Sequence, residues 1–499
     1  MNRKEIDLEI LKLRSGHTED DVSLIDAFFD ELDKRENLFP AMHRQMYRHF
    51  IKAFEYCLDK GKSVKETCEL LDPVHLGEFF TDTSKENYAL DNAAIIYPLG
   101  IKHGQMPMFR LSVTLKEDIV PAILQIALYF TIKRFPTFQT IVKTGFFWHY
   151  LETTYNLPLV EKERDIPCKP ISIILRSKRS FRVFYFKKRI SIEFFHVLTD
   201  GTGGMVFLKT LTAEYLRLLG KDSSCTEGVL DVDENVKEEE LVNEFENAQG
   251  EDDLGTFLDK RSLQLDGRLT PVKPHHIIHY DMDVSSLKEV CAKYNGTITA
   301  YLLAVMFKAV ERSISNKNGI FNIQVPVNMR KFNHSKTLRN YSMYFSAAMD
   351  MKELPDLNEL VAEMGRQIKE KGSERIMNQM MKATGKIIGM LSAVPLILKN
   401  PIVQLAYGYL SNGIIGTVLS NVGVVTMPEE ISDDVDHFDF LLVPEHPNRV
   451  AATLISYKDR VRFTIASATA SKTFEEEIYK MLTDEGLDVI TEGSIDYES

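Results

Sequence analysis

The sequence predicts an α/β fold with mixed sheets, divided between two lobes. Three observations carry this. Stretches that alternate as strands do and stretches with helical periodicity interleave through both halves of the 499 residues. Hydrophobic residues make up 44% of the chain, and a single core stops growing near roughly 250–300 residues, so at least two lobes are expected. Between the halves, Glu227 to Asp253 carries twelve acidic residues and one lysine, Lys237. Few large apolar residues interrupt it, which is the composition of a solvated, mobile crossover.

The first eighty or so residues read as helices. Thr18 with Asp21, and Ser63 with Glu66, are spaced to cap helix N-termini. Leu24, Ile25, Phe28, Phe29 and Leu32 repeat at helical spacing. This marks residues 1–85 as a helical extension, read first as a packing aid, with a partner contact or a substrate lid as the other readings. From Ala89 the pattern changes. AIIYPLGI and FRLSVTL alternate as strands, and Pro121 opens the helix PAILQIALYFTIKRF, with Glu117 and Asp118 just before it. A hairpin follows, SFRVFYF and ISIEFFHV joined by a KKR turn. Leu208, Leu211, Tyr215 and Leu218 share one face of the next helix, which Gly220 ends. These elements form a first lobe over 86–225, followed by an acidic linker over 226–265.

The second lobe, 266–499, begins with the strand HIIHYDMDV and the helix SSLKEVCAKYN. The helix TITAYLLAVMFKAVERSI and the buried strand FNIQVPVNM come next. FDFLLVPEH, a hairpin of ATLISY and VRFTIASA, and the helix KTFEEEIYKML complete it. The most apolar stretch, IIGMLSAVPLILKNPIVQLAYGYL, is broken by Pro395, Lys399 and Pro401; it is expected to pack in the core, with an apolar lining for a lipophilic acceptor or a membrane-surface contact as the other readings.

Several function classes are excluded. The net charge of −12 resides almost entirely in the acidic segment, and no basic stripe suggests a nucleic-acid partner. The five cysteines are scattered without a CxxC pair, as in a reducing compartment. The charged N-terminus lacks a signal-peptide core, and no transmembrane segment is expected, so the cytoplasm is the default location. His275, His276 and His279 have no carboxylate or thiol partner at metal-ligand spacing, and no metal is expected.

The chemistry concentrates in SIEFFHVLTDGTGG, Ser191 to Gly204. His196 ends a β-branched and aromatic strand, where its imidazole can face a cleft and take a proton near neutral pH. Asp200 is placed to hold the shape of the loop that follows. Gly201, Gly203 and Gly204 would permit positive φ and let a ligand approach the backbone. This HxxxDG pattern, in a strand–glycine–helix setting, resembles the CoA-dependent acyltransferases. That superfamily also holds chloramphenicol acetyltransferases and the condensation domains of nonribosomal peptide synthesis. The nearest look is to alcohol O-acetyltransferase-like proteins. FRLSVTLKEDI with RFPTFQTIVKTGFFW, VPVNMRKF with LRNYSMYFS, and TVLSNVGVV carry the rest of the resemblance. It spans roughly residues 90 to 490. Many members have two consecutive histidines, and here the first position is Phe195.

The resemblance implies a chloramphenicol acetyltransferase-like fold with a central tunnel. It also implies that an acetyl or other acyl group moves from acyl-CoA, a co-substrate rather than a resident cofactor. The acceptor would be a small alcohol or amine, a lipophilic one if the apolar stretch lines its site. His196 would be the general base and Asp200 would be structural, paired with Arg330 of VPVNMR. Ser420 and Asn421 of TVLSNVGVV would serve the oxyanion. A Ser-Asn turn between strands is an equal reading of that last pair. A monomer suffices, because one chain supplies both lobes. Two other readings stay open: a condensation-type enzyme with a carrier-bound donor, and a non-catalytic member that binds a ligand or partner.

Overall fold

The computed structural model describes residues 3–82, 86–95, 97–100, 106–171, 179–248, 261–271, 273–399 and 413–493. The N-terminal residues form α1 (Arg3–Arg14), α2 (Glu19–Lys34), α3 (Pro40–Asp59) and α4 (Val64–Leu70). Thr18 caps α2 by accepting from the Asp21 backbone N–H, and Ser63 and Glu66 form a reciprocal capping box on α4. After β1 (Asn87–Ala89), the predicted strand AIIYPLGI is instead a turn and a short helix, α5 (Tyr97–Gly100). The reason is local: Asp91 accepts from the backbone N–H of Ala94 at 2.8 Å, which bends the chain before it can extend.

The first lobe continues with β2 (Met108–Leu115), α6 (Pro121–Ile132), β3 (Thr140–Thr144), β4 (His149–Thr153), β5 (Val160–Lys162), β6 (Phe181–Phe186), β7 (Arg189–Phe195) and α7 (Gly201–Leu218). The second contains β8 (His276–Asp283), α8 (Val284–Lys293), α9 (Ile298–Ser313), β9 (Ile320–Asn328), α10 (Arg330–Asn333), β10 (Ser342–Asp350), α11 (Leu357–Lys371) and α12 (Glu374–Leu391). It goes on with β11 (Thr417–Val425), β12 (Val435–Leu442), β13 (Val450–Tyr457), β14 (Arg460–Ser467), a helix at Thr473–Asp484 and β15 (Ile490–Gly493). The fold is mixed α/β. One sheet has the order β12-β2-β7-β6-β5, a second β10-β9-β11-β13-β14-β8-β15, and a small third β1-β4-β3. β12 comes from late in the chain yet pairs antiparallel with β2, so a late strand closes the first sheet. Arg462 on β14 binds Asp281 on β8 and Asp439 on β12, pinning that strand to the second sheet.

Two apolar cores fill the molecule. The N-terminal helices belong to the first: Phe28, Phe50 and Phe54 of α2 and α3 lie in the same cluster as Tyr129 and Phe130 of α6. Helix α6 is buried on nearly every side, which explains its almost unbroken apolar sequence.

The described part of the acidic crossover, residues 227–248, is largely exposed but is docked at a few points. Arg134, wholly buried after α6, donates Nη1 to Glu240 Oε2 at 2.5 Å and Nη2 to Glu240 Oε1 at 2.7 Å. A bidentate fork of this kind is directional and strong when desolvated. It docks the crossover, and Phe245 then enters the second core. The apolar stretch after Ile387 also departs from expectation. Helix α12 buries Met377, Met380 and Met381, but Ile387, Met390, Ile397 and Leu398 are exposed. Residues 400–412 of that stretch lie outside the described residues.

Candidate active site

The switch from alternation to helical periodicity after Phe195 fixes the local geometry. β7 ends at Phe195, His196 follows, and α7 starts at Gly201. The His196 backbone N–H donates to Pro107 O at 2.9 Å, which anchors the residue beside the start of β2. Its ring lies against Tyr97 and Phe109, with centroids 5.1 Å from each. Phe195, the residue just before His196, is fully buried in the first core.

His196 Nδ1 lies 2.9 Å from Asn340 Oδ1. The Asn340 amide nitrogen donates to Asp91 Oδ2 at 3.2 Å, and both residues are buried. With that nitrogen spent on the carboxylate, the amide oxygen faces the imidazole, so Nδ1 carries the proton and Nε2 holds the free lone pair. Burial raises the Asp91 pKa, against the opposing charge of Arg339 at 3.9 Å and the Asn340 and Ala94 donors.

Asp200 is the N-cap of α7. Its Oδ1 accepts from the backbone N–H groups of Thr202 and Gly203 at 3.1 and 3.0 Å. Its Oδ2 accepts from Arg330 Nη1 at 2.8 Å and from the Tyr341 backbone N–H at 2.7 Å. Burial alone would raise its pKa. The Arg330 charge and these donors outweigh that and hold it below the usual carboxylate value. Arg330 spends its other donors on the carbonyls of Thr337 (2.9 Å) and Arg339 (2.6 Å). One ion pair therefore clamps the 337–341 loop, which carries Asn340. The docked crossover holds the same loop, since Leu338 N–H donates to Glu240 O at 2.9 Å and Thr337 Oγ1 to Val242 O at 2.8 Å.

The glycines act differently from the sequence reading. Gly201, Gly203 and Gly204 all sit in α7 and are absent from the residues with positive φ. They permit close approach instead. A Cβ on Gly203 would lie 2.2 Å from the Leu338 carbonyl oxygen, and one on Gly204 would lie 3.1–3.2 Å from Leu111, Phe194 and Phe109. A Cβ on Gly201 would meet Val422 Cγ1 at 3.2 Å, so β11 abuts the start of α7.

Ser420 and Asn421 lie within β11, where they pair in register with Thr453 and Leu454, rather than in a turn. Asn421 donates its amide nitrogen to Thr299 Oγ1 at 3.1 Å and accepts from Gly423 N–H. Ser420 is buried two residues before Val422. Neither makes a hydrogen bond to His196. The sequence reading missed Asn340 and Asp91. Asn340 lies inside the quoted LRNYSMYFS, but nothing in that stretch signals a partner for a histidine far away. Asn328, which donates to Thr202 Oγ1 at 3.1 Å across the lobes, was also missed.

Among the remaining histidines, His276 bonds Glu475 at 2.9 Å and His279 bonds Thr464 at 2.8 Å. Among the described residues, Asp33, Glu36 and His43 bring potential ligand atoms within 4.8 Å of one another. Tyr47 already donates to Asp33, and Glu36 already pairs with His43.

No protein-family model matches the sequence. No curated protein matches it either. Solved structures do. TRI3 trichothecene 15-O-acetyltransferase of Fusarium sporotrichioides aligns over 80% of this chain and 94% of its own, at 10% identity and TM-score 0.52. F. sporotrichioides TRI101, crystallised with coenzyme A and T-2, aligns over 81% and 99%, at 11% identity and TM-score 0.54. Polyketide synthase associated protein 5 of Mycobacterium tuberculosis aligns over 80% and 98%, at 9% identity and TM-score 0.54. The chain has the two-lobed fold shared by CoA-dependent acyltransferases and condensation domains. In this acyltransferase fold the described helices include none long and apolar enough to cross a membrane.

Proposed function

We propose that the protein is an acyl-CoA-dependent acyltransferase that moves an acetyl or other acyl group to an alcohol hydroxyl, with His196 as general base. The observation that carries this is the His196–Asn340–Asp91 chain, which leaves Nε2 as the basic nitrogen on a partly exposed ring. Nε2 takes the proton of the acceptor hydroxyl as its oxygen attacks the thioester carbonyl. The tetrahedral intermediate then collapses, the C–S bond breaks, and the imidazolium returns its proton to the departing CoA thiolate. No acyl-enzyme forms. General-base assistance of this kind contributes about 10²–10⁴-fold. Asp200 and Arg330 stay structural, holding the loop that orients the base. Ser420 is the candidate donor to the oxyanion; Asn421 is the weaker one, since Thr299 already engages its amide. Acyl-CoA is a substrate in this reading and no resident cofactor or metal takes part.

Acetyl-CoA incubated with a panel of alcohols and amines, with thiol release followed, tests this directly. The intact protein releases thiol with at least one acceptor, and His196→Ala does not. Release that survives the substitution removes His196 as the base. A condensation-type reaction with a carrier-bound donor is the second reading. It rests on the like fold of a starter condensation domain of a peptide synthetase, at TM-score 0.52. Activity with an acyl-carrier protein and none with acyl-CoA would select it.

A further inference from the structure

Several large apolar side chains stand in solvent on one part of the surface. Ile397 is 80% exposed, Phe146 70%, Leu398 62% and Met390 60%, with Phe147 and Ile387 beside them. They form one surface. The Leu396 N–H donates to Phe146 O at 2.8 Å, tying the chain after α12 to the tip of the β3–β4 hairpin. Lys399 donates to Leu391 O at 2.9 Å and sits 3.2 Å from the ring centre of Trp148 at that same tip. Soluble proteins seldom leave such a patch uncovered without a use for it.

Charge indicates what covers it. The chain carries −12 overall, yet no Asp or Glu occurs from Arg375 to Pro428, or from Ile119 to Leu151. The exposed residues of the patch fall within these two stretches. Arg375, Lys382 and Lys386 are exposed and fall at i, i+7 and i+11 on one stripe of α12, beside Met390. An apolar face fringed by cations, with the only tryptophan at its edge, matches the surface of an anionic bilayer. A second copy meeting it face to face would set the exposed cations of α12 against one another.

We infer that the β3–β4 tip and the α12 region form a peripheral docking surface for anionic lipid bilayers, with Phe146, Met390, Ile397 and Leu398 entering the headgroup region. Helix α12 also runs beside Asn92, whose side-chain nitrogen is 3.6 Å from where a Cβ on Gly385 would lie, so the surface neighbours the segment that holds Asn340. Docking itself does not depend on the proposed chemistry.

The test is co-sedimentation of the full chain with vesicles of phosphatidylcholine alone and of phosphatidylcholine with about 30 mol% phosphatidylserine. The protein pellets with the anionic vesicles and much less with the neutral ones. Ile397→Glu with Leu398→Glu lowers the bound fraction about tenfold, and Arg375→Glu with Lys382→Glu removes the preference for phosphatidylserine. All four positions are exposed, so circular dichroism should show both variants folded. Absence of the intact, folded protein from the anionic pellet overturns the inference, as does binding that neither variant changes. A two-chain mass by light scattering that Ile397→Glu with Leu398→Glu reduces to one chain also overturns it, because the face is then a contact between copies.

Discussion

Asn340 Oδ1 receives the Nδ1–H of His196 at 2.9 Å, while the amide nitrogen of the same side chain is held by Asp91 at 3.2 Å. A base of the kind proposed, oriented this way, is sensitive to what replaces Asn340. Asn340→Ala frees the ring to rotate, and kcat is expected to fall about tenfold or more with KM little changed. Asn340→Asp places a carboxylate against the imidazole and raises its pKa. With His196 as the proposed base the neutral ring is the active form, so the acid limb of the kcat/KM profile moves to higher pH. A limb that stays in place would show that Asn340 does not govern the base.

The Asp200–Arg330 pair governs stability as well as shape. Removing one partner leaves the other charge buried, at a cost of about 3–5 kcal/mol. Arg330→Met is therefore expected to lower the denaturation midpoint strongly and turnover with it. Arg330→Lys does not restore either, because a single ammonium cannot reach Asp200 and the Thr337 and Arg339 carbonyls together. The Asp200 pKa is depressed in the fold. Its stabilisation is present above the usual carboxylate pKa and is lost as pH falls through the lower folded value. Asp200→Asn should flatten the acid side of the stability curve. Equal acid sensitivity in both proteins would reject this.

How much of this was legible in the sequence depends on distance along the chain. His196 and Asp200 announce themselves because strand alternation, a short loop and helical periodicity adjoin one another. Arg330 came from the resemblance, since nothing in VPVNMRKF by itself points to Asp200. Asn340 and Asp91 are 249 residues apart and only tertiary packing joins them. The docking of the crossover was hidden for a similar reason: composition counts charges, but Glu240 is buried because Arg134 waits for it 106 residues earlier. The glycines were legible as a need for small residues. The reason for the need, a carbonyl pressed against α7, was not.

Gly203→Ala tests that close approach. Its Cβ would fall 2.2 Å from Leu338 O and 2.3 Å from Thr199 Oγ1. Backbone must move, and overpacking of this kind costs about 1–3 kcal/mol. The displaced loop carries Asn340, so turnover falls too. Gly201→Ala meets only the Val422 methyl at 3.2 Å, which can shift, and should cost far less. Comparable losses at both positions, read from urea midpoints, would argue against this packing account.

The Arg134–Glu240 fork makes the crossover part of the site. Arg134→Met strands a buried carboxylate, with an expected loss of about 3–5 kcal/mol. Adding Glu240→Leu removes the stranded charge and should recover much of the stability. Since Glu240 O still accepts from Leu338 N–H in the double variant, turnover should recover alongside. Limited proteolysis provides the local readout. The single variant is cut first between residues 227 and 248, and the double variant is protected. Cleavage elsewhere at the same rate would show that the fork does not hold the crossover.

His49 links pH to the helical extension. It lies on α3 with Nδ1 2.7 Å from the hydroxyl of buried Tyr129 on α6. Burial, with Lys52 adding to it, pushes its pKa down to about 4 from the usual 6.5. The folded state therefore prefers the neutral ring. Between those two values the unfolded chain binds the extra proton, so stability rises with pH there and is lost as pH falls. The contribution is on the order of 3 kcal/mol at most. His49→Gln keeps a hydrogen-bonding partner for Tyr129 without a titrating ring. Thermal midpoints taken from pH 7 to pH 4.5 should then decline less steeply than in the intact protein. Parallel declines would place the acid sensitivity elsewhere and leave the α3–α6 contact indifferent to this histidine.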